Sequence, residues 1–411
     1  MIRRWLLPAG VAPTAGPLLL GRALRAFADG YVAILLPAYL LALGFGTWQV
    51  GLLASATLLG SAAATLAVGA WGHRFHHRRL LLGAALLMAA TGFAFAGSSA
   101  FWPLLVIAFV GTLNPSSGDV SLFLPLEQAR LADAAEGEAR TALFARYSVL
   151  GALFAALGAL AAVLPDHLAG HAGIDRLGAL RLMFVVYGLV GCVVWLLYRR
   201  LPPAHAEAVA RPAQPLGVSR AVVVRLAALF SVDSFAGGLV VNALLALWLF
   251  QRFGLSLAET GRYFFWAGLL SAGSQLAAPV LARRIGLLNT MVFTHIPASL
   301  CLIAAAFTEH PGLALGLLLV RSLLSQMDVP ARAAFVMAVV TPAERTAAAS
   351  FTAVPRSLAS AISPTLGGAL LAAGWLAAPL VACGVLKIAY DLALWRAFRQ
   401  LGQGKAPSRT T

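Results

Sequence analysis

The chain has 411 residues, of which 60% are hydrophobic and only 11% charged, with a mean hydropathy of +0.85. Soluble domains carry about a quarter charged residues, so an ordinary soluble fold is excluded; so are a disordered chain, which needs low hydrophobicity, and a disulfide scaffold, which three cysteines cannot staple. Thirty Lys and Arg against fifteen Asp and Glu give a net charge of +15 and a pI near 11.0, which in a soluble protein would point to nucleic acid.

A bilayer core about 30 Å thick needs roughly 20 apolar residues of helix, and twelve such stretches follow one another along the chain. Residues Met1 to Pro8 have a basic start, but Pro8, Pro13 and Pro17 cut the apolar run and Arg22 and Arg25 follow it, so no cleavable signal peptide is expected. The first six spans are Pro17 to Leu43, Trp48 to Ala70, Leu80 to Gly97, Phe101 to Leu126, Thr141 to Leu164 and Gly178 to Tyr198. Next comes Arg199 to Ser219, a linker punctuated by Pro202, Pro203, Pro212 and Pro215. The second six are Val222 to Phe250, Leu257 to Ala282, Leu287 to Phe307, Pro311 to Val340, Thr346 to Ala373 and Trp375 to Trp395. The expected organisation is therefore an all-α membrane protein with a bundle over 1–198, a linker over 199–219 and a second bundle with a short tail over 220–411. Cys192, Cys301 and Cys383 fall within spans, where small apolar packing is their expected role.

Lys and Arg are retained in cytoplasmic loops. With the N-terminus inside, only Arg176, Arg181, Arg252 and Arg262 fall outside and Arg321 and Lys387 fall within spans, while the other basic residues lie in or beside cytoplasmic segments. This asymmetry puts both termini in the cytoplasm and reads the charge excess as a topology signal, so no nucleic-acid partner is needed.

The halves resemble each other. A shift of 210 residues superposes Gly51 on Gly261, Leu59 on Leu269, Leu66 on Leu276, Ala67 on Ala277 and Arg74 on Arg284. With small insertions Asp29 corresponds to Asp233, Asp119 to Asp328, and Arg140-Thr141-Ala142 to Arg345-Thr346-Ala347. Parallel six-span repeats are an arrangement of secondary transporters that rock two bundles about a midplane site.

The loop Gly69-Ala70-Trp71-Gly72-His73-Arg74-Phe75-His76-His77-Arg78-Arg79 resembles the signature loop of the major facilitator superfamily, written G-x-L-a-D-r-x-G-r-[RK]-r, and Pro279-Val280-Leu281-Ala282-Arg283-Arg284-Ile285-Gly286 is its partner in the second half. The resemblance extends over essentially the whole chain through span count, termini and repeat. His73 stands where the family has Asp and His76 where it has Gly, so the usual anchoring carboxylate of this loop is missing. The antiporter pattern of span five is also absent; span five offers only Gly151 and Gly158, and a similar cluster, Ser363-Pro364-Thr365-Leu366-Gly367-Gly368, stands in span eleven instead. The resemblance implies two pseudo-symmetric six-helix bundles around a cavity lined by spans one and seven, among others.

Ionisable groups within spans cost about 2.5–3.5 kcal/mol each at mid-helix and so call for a partner or a function. The candidates are Asp29, Asp119, Asp233, Asp328, Arg321, Lys387 and Asp391. Asp119 and Asp328 lie about eighteen residues into outside-to-inside spans, near the cytoplasmic mouth. The resemblance implies a gate in which Asp119 pairs with Arg74 or Arg78, and Asp328 with Arg283 or Arg284; a static interfacial pair is the alternative. Asp29 and Asp233 lie about ten residues into their spans and are the main candidates for proton coupling or substrate binding. Arg25, one turn before Asp29, offers a competing intrahelical pair, whereas no such neighbour stands four residues from Asp233.

Three roles stand for Arg321: binding an anionic substrate group, neutralising Asp233, or pairing with a carboxylate of a neighbouring helix. Lys387 and Asp391, four apart, read as a helix-surface pair. Asn114, Asn242, Gln275 and Gln326 add uncharged polar groups, and breaks or kinks are expected at Pro115, Pro330, Pro355 and Pro364. Tyr31, Tyr39, Trp248 and Trp266 are stacking surfaces or core. His167 and His171 read as a solvated loop, with no metal site expected, and His73, His76 and His77 as facing anionic headgroups among arginines. No Walker loop, nucleophile elbow or Cys-x2-Cys pair is present.

The sequence thus leads to a monomeric, multi-pass protein of a bacterial plasma membrane, moving a small organic molecule by alternating access. Proton-coupled export is the first expectation and uptake of a small organic acid the second; a receptor or membrane enzyme ranks below both. Protons are the only coupling agent expected, with no cofactor.

Overall fold

The computed structural model describes residues 11–71, 74–116, 122–171, 173–202, 216–341 and 344–399. Every regular element among them is helical. The helices are α1 Ala15–Ala42, α2 Thr47–Trp71, α3 His77–Gly97, α4 Phe101–Val110, α5 Phe123–Asp133, α6 Gly137–Leu160, α7 Leu164–His171 and α8 Arg176–Tyr198. They continue as α9 Arg220–Gly238, α10 Asn242–Phe253, α11 Leu257–Ile285, α12 Leu287–Phe307, α13 Pro311–Ser325, α14 Asp328–Val339, α15 Arg345–Ala372 and α16 Ala378–Phe398. These sixteen helices map onto the twelve expected spans because four spans are built in two pieces: α4 with α5, α6 with α7, α9 with α10, and α13 with α14.

Among the described residues, ten of the resulting segments are long and apolar enough to cross a membrane. The described helices of the fourth span, α4 and α5, are each short and are separated by residues outside the described set, and the eleventh span, α15, carries a run of Ser, Thr and Arg. Large apolar side chains such as Leu86, Trp102, Leu276, Phe307 and Trp375 stand exposed, which is the surface that helices present to lipid.

The chain divides into two compact units: Met1–Val209 with Val241–Phe265, and Ala210–Val240 with Trp266–Thr411. The division expected at the linker is therefore modified, since α10 and the start of α11 belong to the first unit. Both units use the same pairing scheme. In the first, α1 packs on α6 and α3 on α8; in the second, α9 packs on α15 and α12 on α16. The first of these pairings needs bare backbone: a Cβ on Gly30 would lie 2.1 Å from the carbonyl oxygen of Ala155, and one on Gly238 would lie 1.9 Å from Ser363 Oγ. Glycine therefore sets the approach of α1 to α6 and of α9 to α15.

The helix breaks follow from lost or competing backbone bonds. Pro115 has no N–H for the carbonyl of Gly111, and the chain leaves the helix at Gly111. There the Thr112 carbonyl accepts the Tyr187 hydroxyl at 3.0 Å, and Asn114 Oδ1 accepts Ser116 N at 3.2 Å and Ser116 Oγ at 2.8 Å. Pro330 likewise withholds a partner from Gln326, where α13 stops. The paired glycines Gly237 and Gly238 end α9. Of the breaks or kinks expected at Pro355 and Pro364, a break is absent at both: they lie inside the continuous α15. At Pro364 the reason is visible, since Ser363 Oγ reaches the Ser360 carbonyl at 3.4 Å, the acceptor that a proline four residues on leaves unserved.

Candidate functional site

A chain of buried charges crosses the second unit. Asp233 on α9 accepts Lys387 Nζ of α16 at 2.6 Å on Oδ1 and Arg332 of α14 at 3.1 Å on Oδ2. Arg332 also pairs with Asp328, one turn earlier on α14. Lys387 Nζ stands 3.3 Å from Nε2 of His295 on α12, and His295 Nδ1 stands 3.1 Å from Asp391 Oδ1 of α16. His295 Nε2 is itself 3.9 Å from Asp233 Oδ1. Three carboxylates thus face two permanent cations and one imidazole. Asp233, Asp328 and His295 are buried, and Asp391 is 0% exposed.

Apolar packing from Val223, Leu226, Phe230, Met291, Tyr390 and Leu394 borders this chain, and Arg332 stacks on the Phe230 ring at 5.4 Å. Arg356 of α15 donates to Ser234 Oγ at 3.2 Å, adding a third cation at the edge. A buried charge persists only when paired and hydrogen-bonded; Asp233, Asp328, Arg332 and Lys387 pair with one another from three helices, while Asp391 meets the imidazole of His295.

Lys387 and Asp391 therefore do not form the helix-surface pair expected from their spacing. Their side chains point inward to Asp233 and His295. Asp233, without a basic neighbour on its own helix, holds two cations from other helices, Lys387 and Arg332, rather than the Arg321 offered for that role.

The first unit has a smaller cluster. Arg25 of α1 pairs with Glu127 of α5 and lies over the Phe123 ring at 3.9 Å. The same carboxylate accepts the Tyr147 hydroxyl at 2.5 Å and the Tyr198 hydroxyl. Both charged side chains are almost fully buried, at 3% and 0% exposure. Arg25 gives its charge-assisted bond to Glu127, 102 residues away, and with Arg22 also stays a charged neighbour of Asp29. Asp29 is half-buried on α1.

Residues 18–327 match the Major Facilitator Superfamily. The chain belongs to the major facilitator superfamily. Among relatives of this superfamily chain, an uncharacterized membrane protein of Saccharomyces cerevisiae, YJR124C, is 24% identical over 406 residues, covering 90% of this chain and 91% of its own. A D-xylose transporter of Levilactobacillus brevis is 30% identical over 113 residues, 28% of this chain and 24% of that one. A solved bacterial homolog of the human lysosomal transporter Spinster, inward-facing and unoccupied, shares the fold with a TM-score of 0.72 at 15% identity, covering 96% of this chain and 98% of that one. Superfamily membership makes the protein a membrane transporter rather than an enzyme.

The gate that a major facilitator resemblance implies is not assembled as expected. Asp328 pairs with Arg332, not with Arg283 or Arg284, which are exposed at the end of α11. The i, i+4 spacing brings Arg332 to Asp328 without any movement of another element. Arg78 donates to the Arg199 carbonyl at 2.7 Å, at the end of α8, and Arg74 is exposed. Asp119 lies outside the described residues, as do His73, residues 1–10, most of the linker and the tail from 400 onward.

Asn114 is buried in its own turn, Asn242 opens α10, and Gln275 meets Gln326 across 3.4 Å in an exposed position. Arg321 is half-buried on α13 and makes no ion pair among the described residues. Tyr31, Tyr39 and Trp248 are core, with the two tyrosine hydroxyls donating to the Met183 and Phe95 carbonyls, while Trp266 is exposed. His167 and His171 are exposed on α7.

Four site residues are not singled out by sequence reasoning: Glu127, His295, Arg332 and Arg356. Glu127 falls one residue past the apolar run of span four, and Arg332 and Arg356 are counted with cytoplasmic bases although both point into the second unit. His295 had a signal, because an imidazole inside an otherwise apolar span is as conspicuous as a carboxylate.

Where the second unit's chain enters α9, the repeat leaves another mark. Glu344 accepts Gly217 N at 2.5 Å, Ser219 N at 3.1 Å and Thr341 Oγ1 at 3.0 Å. The hydrogen bonds from Ser219, then from the Gly217 N–H, hold its carboxyl down at about 2. In the first unit the corresponding entry to α1 is held by Ala12 N on the Ala134 carbonyl at 2.8 Å.

Proposed function

We propose that the protein is a proton-coupled secondary transporter of a small organic molecule, working by alternating access as a monomer in a bacterial plasma membrane with both termini cytoplasmic. The observation that carries this reading is Asp233, a carboxylate buried on span seven and held by Lys387 and Arg332 while an imidazole waits 3.9 Å away. Such a group can exchange partners when a proton arrives, and a proton that changes partners inside a bundle is what coupling requires.

Export remains the first direction. Uptake has one observation in its favour, the local likeness to a D-xylose transporter, and Arg321, without an ion pair among the described residues, suits a carboxylate-bearing substrate in that case.

The test is flux in proteoliposomes, using whichever of D-xylose, other small sugars and organic acids stabilises the purified protein against heat. An imposed pH gradient is expected to drive accumulation, and its sign gives the direction. Asp233→Asn is expected to lower gradient-driven flux at least tenfold, which is about 1.4 kcal/mol. Accumulation indifferent to the gradient, or an unchanged Asp233→Asn protein, would refute coupling at this site.

A further inference from the structure

His295 faces a different group on each ring nitrogen. Lys387 carries an ammonium, which is a donor only, and it points at Nε2 from 3.3 Å. Nε2 must then accept, so the ring proton of a neutral His295 sits on Nδ1 and is donated to Asp391. Asp391 on α16 sets the tautomer, as carboxylates behind functional imidazoles do. Meanwhile Lys387 Nζ and His295 Nε2 approach the same oxygen, Asp233 Oδ1, from 2.6 and 3.9 Å.

We infer that His295 is a proton-binding site, and that a proton on its Nε2 exchanges the Asp233–Lys387 ion pair for an Asp233–His295 pair. The step is a single protonation. The Nε2 lone pair becomes N–H, no covalent bond breaks elsewhere, and the added charge is shared with Asp233. A protonated Nε2 can no longer accept from the ammonium, and two cations 3.3 Å apart repel. One of them must leave Oδ1, and Lys387 has somewhere to go. Its Nζ already lies beside Gly237, 3.9 Å from where a Cβ would stand, in the last turn of α9, where the negative end of the helix dipole attracts a cation. That turn ends at the break between α9 and α10. Proton arrival at His295 therefore delivers a charge to the point where span seven is discontinuous.

The other charged and titratable groups around His295 fit this exchange. From α9 comes Asp233 itself; from α14 Asp328 and Arg332, which pair with each other; from α15 Arg356, held by Ser234; from α13 Arg321; and from α16 Cys383, Lys387, Asp391 and Tyr390, whose ring meets the imidazole edge-on at 6.3 Å. Arg332 keeps Asp233 Oδ2 throughout, so Asp233 is never left without a cation. Spans nine and twelve, which supply His295 and Asp391, act here as carriers of the proton rather than as scaffold. The inference rests on the proton-coupled reading above only for its role in transport.

The test uses full-length protein in nanodiscs with nitrogen-15 histidine, the probe being the proton. The resonance lost in His295→Gln is assigned to His295. In wild type it is expected to show the Nδ1–H neutral tautomer at high pH and two N–H groups at low pH. In the double variant Lys387→Met, Asp391→Leu, which removes both the donor to Nε2 and the acceptor of the Nδ1 proton, the tautomer preference is expected to vanish, while Asp391→Asn, whose amide oxygen still accepts, is expected to keep it with a thermal midpoint close to wild type. A neutral Nε2–H tautomer in wild type, a resonance that does not change between pH 9 and 5, or a wild-type tautomer in the double variant would each overturn the site.

Flux adds the separate arm. The ratio of accumulation with and without a pH gradient is expected to exceed one in wild type and to fall to one in His295→Gln. A ratio above one in both proteins overturns the exchange alone. A ratio of one in wild type overturns the coupling reading, and the histidine spectrum then decides the site on its own.

Discussion

The two units solve the problem of buried charge in opposite ways. In the first, span one supplies the cation, Arg25, and the fourth span the anion, Glu127, and two tyrosine hydroxyls complete the carboxylate's shell. One guanidinium and two hydroxyls converge on a single carboxylate, with Asp29 and Arg22 as further charges around Arg25 and Tyr147. In the second, span seven supplies the anion, Asp233, and the tenth span the cation, Arg332, and the chain runs on through Lys387 and His295 to Asp391. Here one carboxylate oxygen is contested by two nitrogens. A closed network specifies one structure, whereas a contested one has a second arrangement within reach. The lesson is that an internal repeat can conserve helix pairing while assigning fixation to one half and change to the other.

The largest effect expected from this contrast is on stability in the first unit. Removing one member of a buried pair strands the other and costs about 3–5 kcal/mol, so Arg25→Met and Glu127→Gln should each lower unfolding free energy by that order in detergent or nanodisc titrations. Replacing both with apolar residues should recover most of the loss, because no charge is then left buried. If the single variants fell within about 1 kcal/mol of wild type, the first cluster would not be the closed anchor described here. Asp391→Asn, at the end of the contested network, should cost less than either, since it removes one acceptor and leaves Lys387 and Arg332 paired with Asp233.

The spans, the repeat and two of the breaks are legible in the sequence because they depend on local chemistry. Apolar length gave the spans, the repeat offset related Asp29 to Asp233 and Arg140 to Arg345, and the missing N–H of Pro115 and Pro330 marked two of the breaks. Arg140 and Arg345 each bond a preceding backbone carbonyl, but at different distances along the chain, Ala135 five residues back and Met337 eight. Partner choice was not legible. Sequence offers Asp29 only the arginines one and two turns away, but the close approach of α1 to α6 and the packing of α5 and α8 bring Glu127 and two tyrosines to Arg25 instead. The same holds for His295, which meets Asp391 only once α12 and α16 are laid against each other. Spacing along one helix predicts neighbours on that helix; buried ions choose across helices, where the desolvation penalty is repaid by several donors at once.

A smaller effect tests whether the shared pairing is truly equivalent in the two units. Gly30→Ala drives a Cβ into the Ala155 carbonyl and Gly238→Ala into Ser363 Oγ and, at 2.5 Å, the Ser360 carbonyl. Overpacking of this kind costs about 1–3 kcal/mol, and the two variants should fall in the same range by thermal unfolding. Their effects on flux should differ, because Gly238 borders the break of span seven and Gly30 lies in the unbroken α1. Equal losses of flux would mean that the break of span seven has no special part in transport.

The smallest effect separates the two chain entries. Glu344 is held at about 2 by the hydrogen bonds from Ser219 and Gly217, against about 4.3 for a glutamate in an unfolded chain. A carboxyl held down in the folded state stabilises it fully above the unfolded value and loses that contribution as pH falls from about 4 toward 2. At pH 6, Glu344→Gln should therefore speed hydrogen exchange at the Gly217 and Ser219 amides relative to wild type, and the two proteins should converge as pH approaches 2. The Ala12 amide, bonded to a backbone carbonyl, has no such titration and should keep the same relative protection across the range. Convergence at Ala12, or identical protection of Gly217 in both proteins at pH 6, would show that the second unit's entry is fixed by something other than this carboxylate. The expected outcome extends the contrast from the charged clusters to the chain entries: the first unit holds its entry with a backbone pair that cannot titrate, and the second holds its entry with a carboxylate that can.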